Sequence, residues 1–415
     1  MYINTCECLN LSSIDGFNEL LNNDVETNTL KKNNVKTADV SNNYKVIHYD
    51  KNLLTSDLVS TAGLCRSVIA NKDNNIVSFS PPKSLSYDSF TKKYEFPNNH
   101  IFAEEFVEGT MINVFWDPSV GLNGGWEIAT RNSVGAHSRF FKNVNSKTFR
   151  TMFLEAAKEN NLIIENLKTD FCYSFVLQHP ENRIVVPFKK SQLYLVGVYR
   201  IDNTDKNNIK VYLESMQNVR CFDWHLSSIQ FPENYSFNSY DELKQKYASM
   251  NTPYSVVGVI IYNSITGERT KIRNPVYEEV KSLRGNQPKL QYQYLCLRKE
   301  GKVRDFLKFY PEYIKEFSNF RTQLHNFTKT LFSNYFLCYI KKTNPLLEFS
   351  PQYRTHMFNI HKIYMDELRE KKLFITNTNV IKYVNELHPT LLMYCLNYNM
   401  RKRVVDFVSI DENRI

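Results

Sequence analysis

Short runs of apolar and β-branched residues recur through the first two thirds of the chain, and each is bounded by Asn, Asp, Gly or Pro. Runs of that length and composition predict β-strands. The predicted strands are 44–49, 66–70, 76–79, 110–115, 126–130, 170–177, 183–187, 192–200 and 254–262. Two stretches with apolar residues at helical spacing, 147–161 and 239–250, predict helices, the first with Ser146 as its N-cap. Residues 15–40 predict one polar helix followed by a loop.

From residue 275 onward the spacing of apolar residues changes to the helical period, and strand signals become rare. Helices are predicted around 307–324, 335–340, 356–368, 379–387 and 391–401. The order of elements predicts an α+β fold, in which a mixed domain is followed by an all-α domain. We therefore expect three regions: an N-terminal helix and loop (1–43), the mixed domain (44–275) and a basic helical domain (276–415).

The charge of the chain is concentrated in the helical region. The 415 residues contain 52 Lys and Arg against 43 Asp and Glu, which gives a net charge of +9. Residues 1–275 contain 29 basic and 29 acidic residues, whereas residues 276–415 contain 23 and 14, so the excess of nine lies in the last third. A basic surface rich in aromatic residues suits a nucleic acid, although a solvated helical surface has the same composition.

Several classes of protein are not expected. No apolar run of about 18 residues predicts a membrane-spanning helix, so no membrane partner is expected. The first residues lack the pattern of a secretory signal, and the eight cysteines lack zinc-site spacing. Scattered, reduced cysteines favour a cytoplasmic location. Asp117, Glu127, His137, Asp170 and His179 show no diagnostic spacing, so the metal ligands stay unknown.

A series of short motifs runs along the mixed domain, and its order is informative. The motifs are Cys65-Arg66-Ser67-Val68, Ser80-Pro81-Pro82-Lys83-Ser84, Phe106-Val107-Glu108-Gly109, Thr130-Arg131-Asn132-Ser133, Tyr173-Ser174-Phe175-Val176, Asn182-Arg183-Ile184-Val185, Val257-Gly258-Val259-Ile260 and Lys271-Ile272-Arg273. Their order and gaps resemble those of the covalent nucleotidyltransferases, in particular the phage-type RNA ligase 1 group. The resemblance extends from about Tyr44 to Lys299, and with the AT-rich bias in residue usage it favours a large DNA virus as the source.

The resemblance implies a nucleotidyltransferase fold of the ligase and capping type, unrelated to ATP-grasp, with antiparallel sheets in the mixed α+β domain. It also implies a specific chemistry. In this family a lysine of a Lys-x-(Asp/Glu)-Gly motif attacks the α-phosphate of ATP, with Mg²⁺ present, and the resulting lysyl-AMP passes its AMP to an RNA 5′-phosphate. The resemblance therefore implies ATP and Mg²⁺ as cofactors if the protein is active, none otherwise, and RNA or another nucleic acid as partner. The residues that it assigns to nucleotide and phosphate binding are Arg66, Glu108, Gly109, Arg131, Lys271 and Arg273.

Three residues depart from the family pattern. Phe106 stands where the nucleophilic lysine belongs, and Ser174 and Val257 stand where the family has glutamates. A phenylalanine cannot attack phosphorus, and the loss of a nucleophile costs several orders of magnitude in rate. The motifs therefore favour a degenerate member, a pseudoenzyme that binds nucleotide or RNA with lost or altered catalysis.

Two further segments carry candidate residues. Lys83 follows two prolines that fix the local backbone, and three roles stay open for it: a relocated nucleophile, a phosphate or nucleic-acid contact, or a surface lysine. The segment 282–295 interleaves basic, amide and tyrosine residues, a composition that suits RNA contacts or packing between domains. Its candidate nucleic-acid contacts are Arg284, Asn286, Lys289 and Tyr292.

Two alternatives to the binding protein remain. One is an active ATP-dependent RNA ligase or adenylyltransferase that uses Lys83, and the other is a structural or interaction protein on the same scaffold. The sequence does not distinguish RNA from DNA or ATP from GTP, and it gives no oligomeric state. A cytoplasmic location is expected, in a viral factory or virion if the source is a virus.

Overall fold

The computed structural model describes residues 8–22, 35–41, 43–139, 146–287 and 289–400. The chain forms two compact units, 1–281 and 282–415. The first unit contains all the strands of the described residues and the second contains helices. The predicted α+β fold with antiparallel sheets and a helical C-terminal region is therefore confirmed. None of the helices in the described ranges is long and apolar enough to cross a bilayer.

Fourteen strands are found in the described part of the first unit. They are β1 (Leu9–Asn10), β2 (Val35–Ser41), β3 (Tyr44–Tyr49), β4 (Val68–Asn71), β5 (Ile76–Phe79), β6 (Ile101–Glu105), β7 (Thr110–Asp117), β8 (Gly125–Ala129), β9 (Phe171–Gln178), β10 (Gln192–Asp202), β11 (Lys210–Leu213), β12 (Asn234–Tyr235), β13 (Gly258–Asn263) and β14 (Arg269–Arg273). They form three antiparallel sheets. Sheet A has the order β1-β11-β10-β9-β7-β8, sheet B the order β2-β3-β4-β5, and sheet C the order β12-β6-β13-β14.

Of the twelve α-helices in the described residues, five lie before residue 275 and seven begin at or after it, as the predicted change at 275 requires. They are α1 (Phe17–Asn22), α2 (Tyr87–Lys93), α3 (Phe149–Glu159), α4 (Met216–Arg220), α5 (Tyr240–Tyr247), α6 (Pro275–Arg284), α7 (Leu290–Lys299), α8 (Val303–Phe309), α9 (Ile314–Tyr335), α10 (Pro351–Ile363), α11 (Asn377–Glu386) and α12 (Pro389–Leu396). Helices α9 and α10 each continue into a π-helical turn, Phe336–Ile340 and Tyr364–Leu368. The predicted border at residue 275 falls at the start of α6.

Sheet A is covered on both faces. On one face Phe115 and Tyr199 pack with Ile47 and Ile69 of sheet B. On the other face Phe153 of α3 meets Phe175 with ring centroids 5.9 Å apart. Burial on both faces explains why β9 reads as an almost continuous apolar run rather than an alternating one.

Three local predictions are corrected. The predicted strand 183–187 is absent, because the backbone N–H groups of Val185 and Val186 donate to a side chain and not to a neighbouring strand. The predicted N-terminal loop contains β2, which pairs with β3. Helix α3 is capped by Thr148 rather than Ser146, since Thr148 Oγ1 accepts the N–H of Thr151 at 3.1 Å.

Aromatic side chains hold the helical unit together. The rings of Phe306 and Phe317 are stacked with centroids 4.9 Å apart and an interplanar angle of 6°, and Tyr294 meets Phe317 edge-on at 5.1 Å. Farther along the chain His356 is buried and shares hydrogen bonds with Tyr383 and Cys395. The basic residues of this unit therefore surround an aromatic core, which accounts for its high content of Phe and Tyr.

Candidate functional site

A cleft of about 240 Å³ opens in the first unit, where residues of sheet A and of sheet C line a common space. Met111, Val176 and Val196 supply apolar lining from sheet A. The charged residues that line it are Arg66, Glu104, Glu105, Glu108, Arg269, Lys271, Arg273, Glu278 and Lys281. Five of these nine side chains are cationic, so the cleft combines a narrow apolar wall with a positive one.

The register of sheet C explains why the cations converge. Arg269, Lys271 and Arg273 are alternate residues of β14, and alternate side chains of a strand lie on one face. Thr270 and Ile272 between them are buried on the opposite face. The strand therefore presents three cations in a row to the cleft.

A glycine allows β13 to approach β14 closely in the same sheet. Gly258 is paired with Arg273 and has a φ of 139°. A Cβ at this position would lie 2.0 Å from the carbonyl oxygen of Ile272, so only glycine fits. The close approach of β13 to β14 keeps Arg273 at the edge of the cleft.

Phe106 occupies the position that the resemblance assigns to the nucleophile. It directly follows β6, and its N–H donates to Gly258 O at 3.4 Å. The Nζ of Lys271 lies 5.0 Å from the centroid of its ring, and the Cζ of Arg273 lies 5.8 Å from it. Phe106 thus faces two cations of β14, and its ring attracts a positive charge through the negative face of the π-system.

Lys271 has an unusual environment. Burial lowers the pKa of its amine to about 6, and the positive charges of Arg269, Arg66, Arg273 and Lys83 lower it in the same direction. In the described residues no carboxylate lies within ion-pair distance of it. The amine is therefore mostly neutral at pH 7 when the cleft holds no ligand.

The arginines that the motifs single out are divided between two places. Arg66 lines the cleft, where burial and the neighbouring charges of Arg269 and Arg131 lower its pKa to about 10. Arg131 does not line the cleft, and its Cζ lies 5.4 Å from the centroid of the Tyr49 ring. Arg131 therefore acts on the cleft through its charge near Arg66, with no contact to the cleft itself.

Arg269 is a cleft residue that the sequence analysis missed. Its Nη2 donates to the carbonyl oxygens of Pro81 at 3.1 Å and Pro82 at 2.8 Å. Its position two residues before Lys271 was the available signal, because alternate residues of a strand share a face.

Lys83 lies outside the cleft lining. The backbone around it is fixed, since its N–H donates to Gly63 O at 2.9 Å and the next-but-one residue, Leu85, donates to Arg269 O at 2.8 Å. Its side chain is exposed. The two prolines hold the turn in place, as their rigidity predicts, but they do not direct the lysine into the cavity.

Glu108 ties a loop to the cleft. Its Oε1 accepts the N–H of Val185 at 2.6 Å and that of Val186 at 3.1 Å. Burial raises the pKa of Glu108 to about 7, against these two hydrogen bonds. Gly109, which follows, has a φ of 149°, and a Cβ there would lie 2.5 Å from Leu177 O, so only glycine fits. The hydrogen bonds of Glu108 and the backbone of Gly109 thus explain why both residues are needed to build this part of the fold.

The two lost glutamate positions have different surroundings. Ser174 is fully buried, and its Oγ donates to Asn113 Oδ1 at 2.9 Å, while Asn113 Nδ2 donates to Ser80 Oγ at 2.6 Å. Val257 lines the cleft with an apolar side chain. Among the described residues no group of three or more His, Cys, Asp or Glu is placed to hold a metal ion.

The candidate nucleic-acid residues lie around the start of the helical unit. Arg284 is the last residue of α6, and Gly285, with a φ of 59°, follows it. Asn286 and Lys289 are exposed, and Tyr292 in the first turn of α7 is half-exposed. Exposed cationic and aromatic side chains are thus available on one short stretch of chain.

Comparison with known proteins agrees with the motifs. No family model matches the sequence. The chain is 27% identical over 206 residues to an RNA ligase of Rhodothermus phage RM378, which covers 42% of this chain and 44% of the relative. It is 23% identical over 331 residues to the immediate-early protein ICP-46 homolog of Invertebrate iridescent virus 6, with 72% and 67% covered. The predicted resemblance to RNA ligases, with relatives among viruses, is confirmed.

Among solved structures, a lysine-to-alanine mutant of Naegleria gruberi RNA ligase with ATP and Mn is similar, with a TM-score of 0.36, 12% identity, and 49% of this chain and 58% of that chain covered. A glutamate-to-alanine mutant of the same ligase with AMP and Mn has a TM-score of 0.35 and 13% identity, with 48% and 57% covered. The chain thus spans less than half of the phage RNA ligase it matches and under two thirds of the Naegleria ligase.

Proposed function

We propose that this RNA ligase-like chain binds a nucleoside triphosphate through its phosphates in the cleft, and that the covalent step assigned to position 106 is lost. One observation carries the proposal: Arg66, Lys271 and Arg273 line one cleft beside Phe106, where a nucleophilic lysine would stand. Three convergent cations suit a triphosphate, since arginine binds phosphate oxygens in pairs and lysine acts as a point charge.

The acidic residues of the cleft cancel this charge only in part, since Glu278 is paired with Arg273 at 2.8 Å while two other carboxyls are partly protonated. Burial raises the pKa of Glu104 to about 7, and it raises that of Glu108 to about 7 as well. Both carboxyls are therefore about half protonated at neutral pH. Lys271 is mostly neutral in the cleft without ligand, so Arg66 and Arg273 supply the permanent positive charge for the phosphates.

No resident metal is part of the proposal. The described carboxylates do not form a three-ligand group, so Mg²⁺ or Mn²⁺ would arrive as part of the nucleotide complex. Both ions are therefore tested together with the nucleotide rather than alone. ATP and GTP are both candidates, since none of the cleft contacts described above selects a base.

We further propose that the helical unit contacts RNA. The positive charge of the last third and the exposed Asn286 and Lys289 support this partner, because neutralisation of phosphates by Lys and Arg releases counterions. The first unit is neutral overall, so nucleotide binding in the cleft and RNA binding in the helical unit are separable.

The test of the cleft is a thermal shift of the full chain. ATP with Mg²⁺ is expected to raise Tm, by the equivalent of about 2.7 kcal/mol at one hundred times its Kd, whereas adenosine without phosphates leaves Tm unchanged. Arg66→Ala and Arg273→Ala should weaken the shift. The matched control is Lys72→Ala, an exposed lysine outside the cleft.

The outcomes separate the alternatives. A structural protein on this scaffold would show no shift with ATP or GTP, and that result would end the proposal. A shift that adenosine reproduces would point to a base or ribose site rather than a phosphate site. The alternative of an active ligase through Lys83 has less support, because Lys83 is exposed and lies outside the cleft lining.

A further inference from the structure

Two lysines line the cleft, and their surroundings differ. Lys281 Nζ is 3.4 Å from Glu278 Oε1, which also accepts from Arg273 at 2.8 Å. Lys271 has no such carboxylate partner among the described residues, and burial lowers the pKa of its amine. Burial and neighbouring positive charges both favour the neutral form of an amine. Lys271 therefore has the lone pair that a nucleophile needs.

The surroundings of Lys271 also suit a phosphate that would react with the amine. Arg66, Arg269 and Arg273 line the same cavity, and the charge of each disfavours the protonated lysine. The same three guanidinium groups are placed to offset negative charge on a phosphate that reacts beside the amine. A cluster that both deprotonates an amine and stabilises phosphate charge is the arrangement that activates a lysine.

We propose that Lys271 is the nucleophile of the cleft and becomes covalently attached to a nucleoside monophosphate. The inference rests on the proposed triphosphate binding. The lone pair of Nζ forms a bond to the α-phosphorus, and the bond from that phosphorus to the bridging oxygen breaks. The electron pair of the broken bond leaves with pyrophosphate, and one amine proton passes to solvent. The product is a phosphoramidate between Lys271 and the nucleotide.

The geometry gives Phe106 a part in this arrangement. Its ring lies 5.0 Å from Lys271 Nζ and closes one side of the cavity. A lysine at position 106 would add a further positive charge here. The phenylalanine instead leaves Lys271 as the enclosed amine of the site, so the chemistry moves from the end of β6 to the facing strand β14.

The proposal makes a prediction about pH. The titratable and charged groups that line the cleft with Lys271 are Arg269 and Arg273 of β14, Arg66 before β4, Glu104 and Glu105 of β6, Glu108, and Glu278 and Lys281 of α6. The charge of Lys83, outside the lining, also lowers the pKa of Lys271. Attack requires the neutral amine, so adduct formation should rise as pH increases from about 5 to about 8 and then level off. An ordinary lysine would give a rate that still rises near pH 10. Phosphate binding without attack has the opposite trend, because the charged amine binds anions better.

The test uses the full chain with ATP or GTP labelled at the α-phosphate, Mg²⁺ or Mn²⁺, and added pyrophosphatase. A protein-bound label that survives denaturation and alkali but not acid is expected, and peptide mapping should locate it on Lys271. Lys271→Arg and Lys271→Met should lower the label by at least about 10²-fold. The exposed Lys72→Arg should retain it.

Failure of this inference can be told from failure of the proposed function. If ATP raises Tm but no label appears with either nucleotide, the cleft binds without attack and Lys271 is not a nucleophile. If the label maps to another lysine, or persists in Lys271→Met, the assignment is also overturned. If neither nucleotide raises Tm in the wild-type chain, the proposed nucleotide binding itself fails. A Tm of Lys271→Met close to that of the wild type would show that lost label does not reflect unfolding.

Discussion

Ser174 Oγ donates a hydrogen bond of 2.9 Å to Asn113 Oδ1 across the pairing of β9 with β7. Both side chains are fully buried, and Asn113 in turn donates to Ser80 Oγ at 2.6 Å. The resemblance assigns a glutamate to position 174. The hydrogen-bonded chain therefore uses this position to join sheet A to the residue that follows β5 of sheet B, rather than to hold a ligand.

The first prediction concerns this chain of hydrogen bonds. Ser174→Ala leaves Asn113 Oδ1 buried without a donor, and we expect a loss of about 1–3 kcal/mol in the free energy of unfolding. Ser174→Glu places a larger, ionisable group in the same fully buried position and should cost more than the alanine variant, by several kcal/mol. Urea denaturation measures both. Equal or greater stability of Ser174→Glu would mean that the site accommodates the carboxylate of the family pattern, contrary to its burial.

Much of the fold was predictable because the composition of short segments of sequence indicates the strands. Predicted strands 44–49 and 76–79 match β3 and β5 residue for residue. The period of the apolar residues also predicted the change to helix at 275, since this period can be read without knowing which elements pack together. The short strands β1 and β12, of two residues each, could not be predicted, because only pairing with a distant strand defines them.

The site was harder to predict than the fold. The resemblance singles out Lys271 and Arg273, and both line the cleft, but the side-chain surroundings that lower the pKa of Lys271 include Arg66, which is far away in the sequence. The sequence left three roles open for Lys83 for a similar reason. A proline pair fixes a turn, yet the direction of the next side chain depends on the strand against which the turn packs.

The second prediction is a pH-dependent coupling between Phe106 and Lys271. A cation near an aromatic ring is worth about 0.5–2 kcal/mol, but only while the amine is charged. A double-mutant cycle with Phe106→Leu and Lys271→Met should therefore give a coupling at pH 5 that is larger than the coupling at pH 8. The same cycle with Arg273→Met is the control, since a guanidinium stays charged at both pH values. Equal Lys271 coupling at both pH values would indicate that the amine keeps its proton.

The third prediction concerns stability against pH and the buried carboxyls Glu104 and Glu108. Their pKa values of about 7 lie above the ordinary value of 4.5, so the native state binds more protons than the unfolded chain between pH 4.5 and 7. Their contribution to the free energy of unfolding is fully present below pH 4.5 and is lost as pH rises through 7. Wild type should therefore lose stability over this interval relative to Glu104→Gln or Glu108→Gln.

The size of this effect is on the order of 2–3 kcal/mol for each carboxyl. Urea titrations at pH 4.5, 6 and 7.5 measure how the free energy of unfolding changes with pH. This change is compared between wild type and variant, rather than the absolute stability, because the glutamine amide also alters hydrogen bonds. Glu95→Gln is the control, since Glu95 is exposed. Parallel curves for wild type and the two buried-site variants would contradict the raised pKa values.

The last prediction separates two kinds of RNA contact in the segment that starts the helical unit. Lys289 is exposed, so Lys289→Ala should weaken binding of a single-stranded RNA and reduce the slope of log K against log salt by about 1. Tyr292 is half-exposed in α7, and loss of a stacked base in Tyr292→Ala should cost about 1–3 kcal/mol with little change in that slope. Fluorescence anisotropy between low and moderate salt measures both quantities.

The matched control is Lys72→Ala, which removes the same charge from the first unit and should leave the RNA affinity unchanged. The two signatures are independent: a phosphate contact alters the salt slope, and a stacking contact alters the affinity at every salt concentration. If Lys289→Ala and Lys72→Ala reduce the slope equally, the positive charge of the chain attracts RNA without a defined surface. If neither variant of the helical unit changes the RNA affinity or its salt dependence, the basic residues of the last third form a solvated surface, and the nucleic acid does not bind at this segment.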